Sequence, residues 1–490
     1  MHSLRDFRAW FPIVCFVSGL LLPLAVYSLT LAPDLTWAHN GNDGGDLIVA
    51  AYSLGVAHPP GYPAYTLLAY FFTLIPLGNI AFRVNILSAV GAAVAAGCVA
   101  LAVLTLSSVK RKWDNFLGGM VAAWELAFMP FLWGQAVIAE VYAVQAAFVA
   151  MTVLLAMYLK KHPITWVAFL LGFIWGITFG IHLNSIFLLP VIIWGLSKHI
   201  EKKKSLHLWV GLLTGFSMAF LQWLYIVLRA GRGAVTWGNP TNMDGWLWHL
   251  SGQIYRGYVF SFPLESWLSR LNYLAATLLT GLGPIAVFLG LVGWMYLVRR
   301  YSGFALALGI TSITYVVFAI GYNTTDSDNY TIPALIIFCV AIGCGVIYSI
   351  NDLRLRFGTH SLIIGWIIIF FMLGLGVLTH WSKMSLRSDH DAIIFGEKIM
   401  QAAPASAVLL TDEDRATFSL WYFRYVLGIR SDTIIMDKGL LEYDWYQAQV
   451  GLTPEEAEII IKRNELLSFR PMCLVSIRDQ SPVIDCQPGH

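Results

Sequence analysis

Eleven apolar stretches run along this chain, near residues 11–31, 80–107, 116–134, 138–159, 164–181, 183–197, 206–228, 272–298, 303–321, 331–350 and 361–380. A helix needs about 20 such residues to cross a bilayer, and inside the hydrocarbon every backbone N–H and C=O has to be paired within its own segment. Those two requirements leave a polytopic bundle of α-helices as the frame. Charged residues make up 12% of the chain, against about 25% in soluble domains, so a water-soluble fold is excluded. The stretches at 164–181 and 183–197 are short, and fit a hairpin that dips from one face as well as two crossings.

Charge sets the orientation. Arg5, Arg8, Lys110, Arg111, Lys112, Lys160, Lys161, Lys198, Lys202, Lys203, Lys204, Arg299, Arg300, Arg354 and Arg356 fall at the N-terminus and in alternate loops, whereas the loops 32–79, 135–137 and 322–329 carry no Lys or Arg. Basic loops stay cytoplasmic, which predicts a cytoplasmic N-terminus and, with an odd number of spans, a C-terminal tail outside, in a bacterial inner membrane. The first apolar stretch has no small-residue cleavage motif and reads as an anchor. A net charge of +2 gives no general attraction to nucleic acid. Cys15, Cys98, Cys339 and Cys344 lie in apolar segments and read as packing residues; Cys473 and Cys486 could pair if the tail meets an oxidising compartment. No CxxC or HExxH occurs, so no metal ligands are assigned, and dependence on a divalent metal stays open.

The outer loops are where chemistry can sit. In the 32–79 loop, 45–56 and 62–75 read as two short helices lying along the membrane surface. The 229–270 loop holds Trp237, Trp246, Trp248 and Trp267, which read as interface anchors. The acids of this face are Asp34, Asp43, Asp46, Glu140, Asp244, Glu265, Asp326 and Asp328. Asp43-Gly44-Gly45-Asp46 is the sharpest group: the glycines allow a tight turn, and a carboxylate in the first turn of the next helix is favoured by the helix dipole. The same pattern serves as an ordinary helix cap. Twelve residues on, His58 is held by Pro59, Pro60 and Pro63 at a rigid corner. Glu140 is expected at the outer mouth of the fourth span, where a charge needs a partner or a task; Glu125, deeper in the third, reads as a neutral structural residue. His182 and Asn184 fall at an outer turn, and 322–330 is a polar turn holding Asp326 and Asp328. An anionic lipid also needs cations at this rim. Arg256 is the best placed, since guanidinium matches phosphate geometry; Arg229 and Arg232 read as snorkelling side chains.

The tail changes character. Residues 407–410, 433–436 and 472–477 read as strands, 414–427 as helical, and Thr453-Pro454-Glu455-Glu456 as a capping box opening a helix to 467. This predicts an all-α polytopic membrane domain over 1–381 and a small extracytoplasmic α/β domain over 382–490. No internal repeat of the kind that builds transporters from two halves is visible, and a transporter or lipid-linked sugar flippase is the rival reading.

Asp43-Gly44-Gly45-Asp46-Leu47-Ile48, Leu54-Gly55-Val56-Ala57-His58-Pro59-Pro60-Gly61-Tyr62-Pro63, the run 83–89 (Arg83 to Ala89) and Ala139-Glu140-Val141-Tyr142 resemble glycosyltransferase family 117, a protein O-mannosyltransferase-like membrane family of the GT-C class. The resemblance covers 35–150 most closely. It implies a GT-C-like membrane domain and transfer of a sugar, such as mannose, from a polyprenyl-phosphate monosaccharide to an acceptor hydroxyl of a protein or glycan on the outer face. That family shows Asp-Ser-Gly-Glu where this chain has Asp43-Gly44-Gly45-Asp46, so the fourth carboxylate is one methylene shorter. The implied roles are Asp43 as base, Asp46 and His58 orienting it, Glu140, Tyr142, His182, Asp326 and Asp328 at the substrate, and Arg256 on the carrier phosphate. The partners are then membrane lipid, the lipid-linked sugar and the acceptor.

Overall fold

A computed structural model of the chain describes residues 2–109, 111–200, 206–358, 360–463, 470–478 and 481–487. Lys110, Lys202, Lys203 and Lys204 of the basic loops, and residues 464–467 of the expected tail helix, lie outside them. Every apolar stretch is mainly helical. Among the described residues seven helices are long and apolar enough to cross a bilayer, or eight if one bent pair counts as a single span. That pair replaces the straight third span. Lys112–Phe128 and Pro130–Ala136 meet at 66°, because Pro130 lacks an N–H and forces Met129 into extended backbone (φ −70°, ψ 141°). Thr165–Phe179 and Leu183–Ser197 are shorter apolar helices, and His360–Met384 is the last helix before the tail.

Ile332–Phe357 runs through the middle of the bundle, packed on Ile80–Leu106, Lys112–Phe128, Leu264–Arg300 and Ser302–Gly321. The approach to Leu264–Arg300 is backbone to backbone: a Cβ on Gly293 would lie 1.8 Å from the Ala341 carbonyl, and one on Gly345 1.9 Å from that of Leu289. Small residues at such crossings let dispersion replace the hydrophobic drive that lipid cannot supply. At the end of the bundle where the basic residues collect, a buried ion pair, Arg354 to Asp114 at 2.5 Å, ties this helix to Lys112–Phe128.

The tail is a four-stranded sheet flanked by helices. Strands β1 (Val408–Thr411), β2 (Ile434–Asp437), β3 (Met472–Arg478) and β4 (Ser481–Gln487) lie in the order β2-β1-β3-β4. β1 is parallel to both β2 and β3, while β3 and β4 form an antiparallel hairpin. Parallel neighbours require crossover connections, and the helices Asp414–Trp421 and Pro454–Arg463 supply them. The capping box is formed as expected, with the Glu456 amide donating to Thr453 Oγ1 at 3.3 Å and the Thr453 amide to Glu456 Oε2 at 2.8 Å. Cys473 and Cys486 face each other across β3 and β4 and are disulfide-bonded. Strand β4 carries no sequence signal strong enough to have been expected.

Two readings of the outer loops change. The helix Gly44–Ser53 does not lie on the membrane surface; residues 44–51 are all buried, because the tail helix Asp414–Trp421 packs on them. A Cβ on Gly45 would sit 2.3 Å from the Phe418 carbonyl oxygen, so glycine is what permits this contact. Thr36 Oγ1 donates to Asp389 at 2.6 Å, Trp37 Nε1 to Ser419 at 2.9 Å and Tyr422 OH to Asp34 at 2.9 Å across the same junction. We expect Gly45→Ala to cost about 1–3 kcal/mol by overpacking, read as a lower Tm, while Gly257→Ala, with nothing within 4 Å of the added carbon, leaves Tm unchanged. The second change is Trp237, which is buried rather than an interface anchor, for a reason that lies in the site.

Candidate active site

The turn before Gly44–Ser53 is built under strain. His39 and Asn40 are both left-handed (φ 55° and 63°), a conformation uncommon outside glycine, and they deliver Asp43 to the end of a 3₁₀ turn, Ala38–Asp43. Asp43 precedes a helix yet makes no side-chain capping bond. Its carboxylate is 37% exposed and faces a cavity of about 450 Å³. Asp46, in the first turn, is fully buried.

Asp46 is saturated by donors. Its Oδ2 accepts the His58 backbone N–H at 2.9 Å and stands 2.7 Å from His58 Nδ1, and its Oδ1 accepts Trp237 Nε1–H at 3.0 Å. Trp237 reaches it because the 229–242 segment pairs with the first loop: the Val56 amide donates to Val235 and the Trp237 amide to Val56. Arg229, read as a snorkelling residue, donates to the Leu54 and Ser53 carbonyls and closes the C-terminal end of the same helix. On its far side the His58 ring presents Nε2 to Asp43 at 3.6 Å, within ion-pair range but beyond a hydrogen bond. The order Trp237–Asp46–His58–Asp43 therefore ends on a carboxylate that accepts no hydrogen bond among the described residues.

The charges explain one another. Burial opposes a charge on His58, but Asp43 and the hydrogen bond to Asp46 outweigh it and hold the imidazolium up to about 9. Burial raises Asp43 above the ordinary carboxylate value, with Asp326 and Asp46 adding to it and His58 drawing it back. Glu140 is raised well above its usual value by burial first, then by Asp43 and Asp326. His182 is pushed down to about 4 by burial and is neutral, boxed among Tyr62, Tyr142 and Tyr330.

Six of the sequence-selected residues, Asp43, His58, Tyr142, His182, Arg256 and Asp326, line the one cavity. Tyr142 OH donates to Asp326, and Arg256 is exposed, its side chain with neither an ion pair nor a hydrogen bond among the described residues. Asp46, Glu140 and Asp328 lie off the wall. Asp46 stands behind His58; Glu140 caps Val141–Lys161, accepting the Val141 N–H at 3.3 Å; Asp328 pairs with Arg270 at 4.0 Å. The reading of the residues missed Trp237, the cavity-lining Tyr255 and Tyr258, and Asp414 of the tail. Asp414 looks in sequence like any acid opening a helix. Among the described residues no group of three His, Cys, Asp or Glu side chains is arranged to hold a metal ion.

Comparison with solved structures identifies the architecture. ArnT from Cupriavidus metallidurans bound to undecaprenyl phosphate superposes with a TM-score of 0.62 at 13% identity, covering 97% of each chain. The fold is shared with ArnT. Its apo form matches similarly, with a TM-score of 0.58. The family model described as the N-terminal domain of protein O-mannosyl-transferase TMEM260 matches residues 43–207, and TMEM260-associated domain 2 matches 392–465. Among curated proteins, protein O-mannosyl-transferase TMEM260 of Mus musculus is 27% identical over 86% of this chain, and that of Dictyostelium discoideum 22% identical over 89%. The chain spans 62% and 58% of the length of these two relatives. The cavity residues of the first loop, Asp43 and His58, fall within the first matched segment, and Asp414 within the second.

Proposed function

We propose that this chain is a membrane glycosyltransferase of the GT-C class that moves a sugar from a polyprenyl-phosphate carrier to an acceptor hydroxyl, with Asp43 as base. The observation that carries the reading is the unequal state of the two carboxylates. Asp46 spends its lone pairs on three donors, whereas Asp43 keeps its own open to the cavity beside an imidazolium. A hydroxyl is a weak nucleophile, and a positioned carboxylate that takes its proton in the transition state accelerates attack by about 10²–10⁴-fold. The new bond joins the acceptor oxygen to the anomeric carbon, the carbon–oxygen bond to phosphate breaks, and the proton passes to Asp43. One displacement with one base inverts the anomeric centre; the paired carboxylates of a retaining enzyme are not needed. The leaving phosphate needs charge stabilisation, and the unpaired Arg256 is suited to it.

Mannose as the sugar and protein Ser or Thr as the acceptor rest on the names of the curated relatives, and the carrier on the undecaprenyl phosphate held by ArnT. The tail domain and the cavity belong on the non-cytoplasmic face, periplasm or lumen, which suits the disulfide. A transporter gains no support from a cavity walled partly by a tail domain.

The test is to incubate purified protein with a panel of polyprenyl-phosphate monosaccharides and a Thr peptide, measuring released polyprenyl phosphate and glycopeptide. Turnover of one donor is expected; failure of every donor to turn over or bind overturns the reading. The same assay reads the His58–Asp43 pairing. The imidazolium lowers the Asp43 pKa, so His58→Gln raises it, and the acid limb of log(kcat/KM) against pH moves to higher pH. An unmoved limb would separate His58 from the base.

A further inference from the structure

The carboxylate that the tail delivers to the cavity has no part in the chemistry above. Asp414 opens the helix Asp414–Trp421 and lines the cavity with Asp43 and His58. Two acids near it are engaged: Glu413 pairs with Arg415 at 2.8 Å, and Asp437 accepts Thr417 Oγ1–H at 2.6 Å and the Leu440 amide at 3.0 Å. The Asp414 side chain has neither a hydrogen bond nor an ion pair among the described residues. Asp414 is exposed at the cavity, but its helix is fixed from three sides. Thr417, one turn on, bonds to Thr411 and Asp437, the Phe418 carbonyl presses on Gly45, and Ser419 holds Trp37. The fold thus places an unpartnered carboxylate beside the base and holds it there.

That end of the cavity carries more carboxylate than cation: Asp43 and Asp414 line it against the single His58 imidazolium. Burial first, then Asp43 and Asp437, push Asp414 up to about 7, so near neutral pH it accepts a hydrogen bond when ionised and donates one when protonated. Together with Asp43 it makes a surface that favours cations and hydrogen-bond donors and disfavours anions. Arg256, the cation suited to phosphate, comes instead from the membrane domain's 251–259 segment. The two substrates also differ in their approach. A lipid-linked donor arrives from the bilayer, and a hydrophilic acceptor from the water in which the tail domain stands.

We propose that Asp414 is an acceptor-binding residue through which the tail domain completes the acceptor end of the cavity, selecting peptides with a positive charge or hydrogen-bond donor beside the accepting hydroxyl over peptides with an acidic neighbour. This rests on the transferase reading above. The test uses the full chain in detergent, the donor that turns over in the panel, and three peptides identical except for Lys, Gln or Glu next to a single Thr. The wild type is expected to prefer Lys over Glu by about tenfold in kcat/KM, as a like-charge contact implies. Asp414→Asn brings that ratio close to one, with the change in acceptor KM and not in donor KM. Equal wild-type rates for the Lys and Glu peptides overturn the proposal without any variant. So does an Asp414→Asn protein that keeps the ratio, or one whose donor KM alone rises. If Asp414→Asn does not fold, Asp414→Glu keeps the charge and is expected to keep the preference; its loss would likewise overturn the proposal. No turnover of any donor by the wild type removes the transferase reading itself, and so is distinct from a working transferase indifferent to acceptor charge.

Discussion

Asp43→Asn should lower the rate of sugar transfer by about 10²–10⁴-fold, the usual contribution of a general base, while leaving Tm and donor affinity close to wild type. The separation follows from geometry. The Asp43 side chain is 37% exposed to the cavity, faces the His58 ring at 3.6 Å, and has no hydrogen bond to break among the described residues. Asparagine has the same shape and cannot take a proton from the acceptor. The measurement is single-turnover transfer at saturating donor, beside a thermal melt. An Asp43→Asn protein that melts normally and transfers at the wild-type rate would remove Asp43 from the chemistry and leave Asp326 as the next carboxylate on the wall to test.

The second large effect is expected at Asp46, on stability. Its two oxygens accept from three N–H groups: Trp237 Nε1 on one, and the His58 amide and Nδ1 on the other. An asparagine offers one oxygen. If its amide nitrogen faces His58, two donors meet a third; if it faces Trp237, the indole is orphaned. Either orientation leaves a buried N–H unsatisfied, and the charge that steadies the His58 imidazolium is gone. Breaking a buried, hydrogen-bonded charge pair costs about 3–5 kcal/mol, so Asp46→Asn should melt far below wild type and lose transfer as His58 moves. Asp328→Asn is the contrast, because that acid is partly exposed and its partner Arg270 is 4.0 Å away, a pair worth about 0–1 kcal/mol. Equal melts for the two variants would overturn the view of Asp46 as the keystone of the loop.

Much of the site was legible in the chain. Asp43, Asp46 and His58 stood out because Gly44, Gly45, Pro59, Pro60 and Pro63 restrict the backbone around them, and such restriction is a local property. Their division of labour was not legible. It depends on Trp237, almost two hundred residues away, reaching Asp46 only because 229–242 pairs with Val56. Trp237 carries no local sign of this, since a tryptophan in an outer loop ordinarily rests at the interface. Glu140 and Asp328 were legible as loop acids, but whether a carboxylate points into a cavity or caps a helix is decided by side-chain packing that periodicity does not encode.

By itself the sequence determined the apolar helices of the frame, the first three strands of the tail with the helices at 414 and 454, and the capping box at Thr453, because each is set by hydrophobic period or by bonds spanning a few residues. Tertiary structure alone decided the burial of Gly44–Ser53 under the tail and the presence of Asp414 in the cavity. Those features depend on contacts between segments hundreds of residues apart, such as the Phe418 carbonyl against Gly45. No local pattern records a contact of that kind, because the residues that make it are ordinary until the fold brings them together.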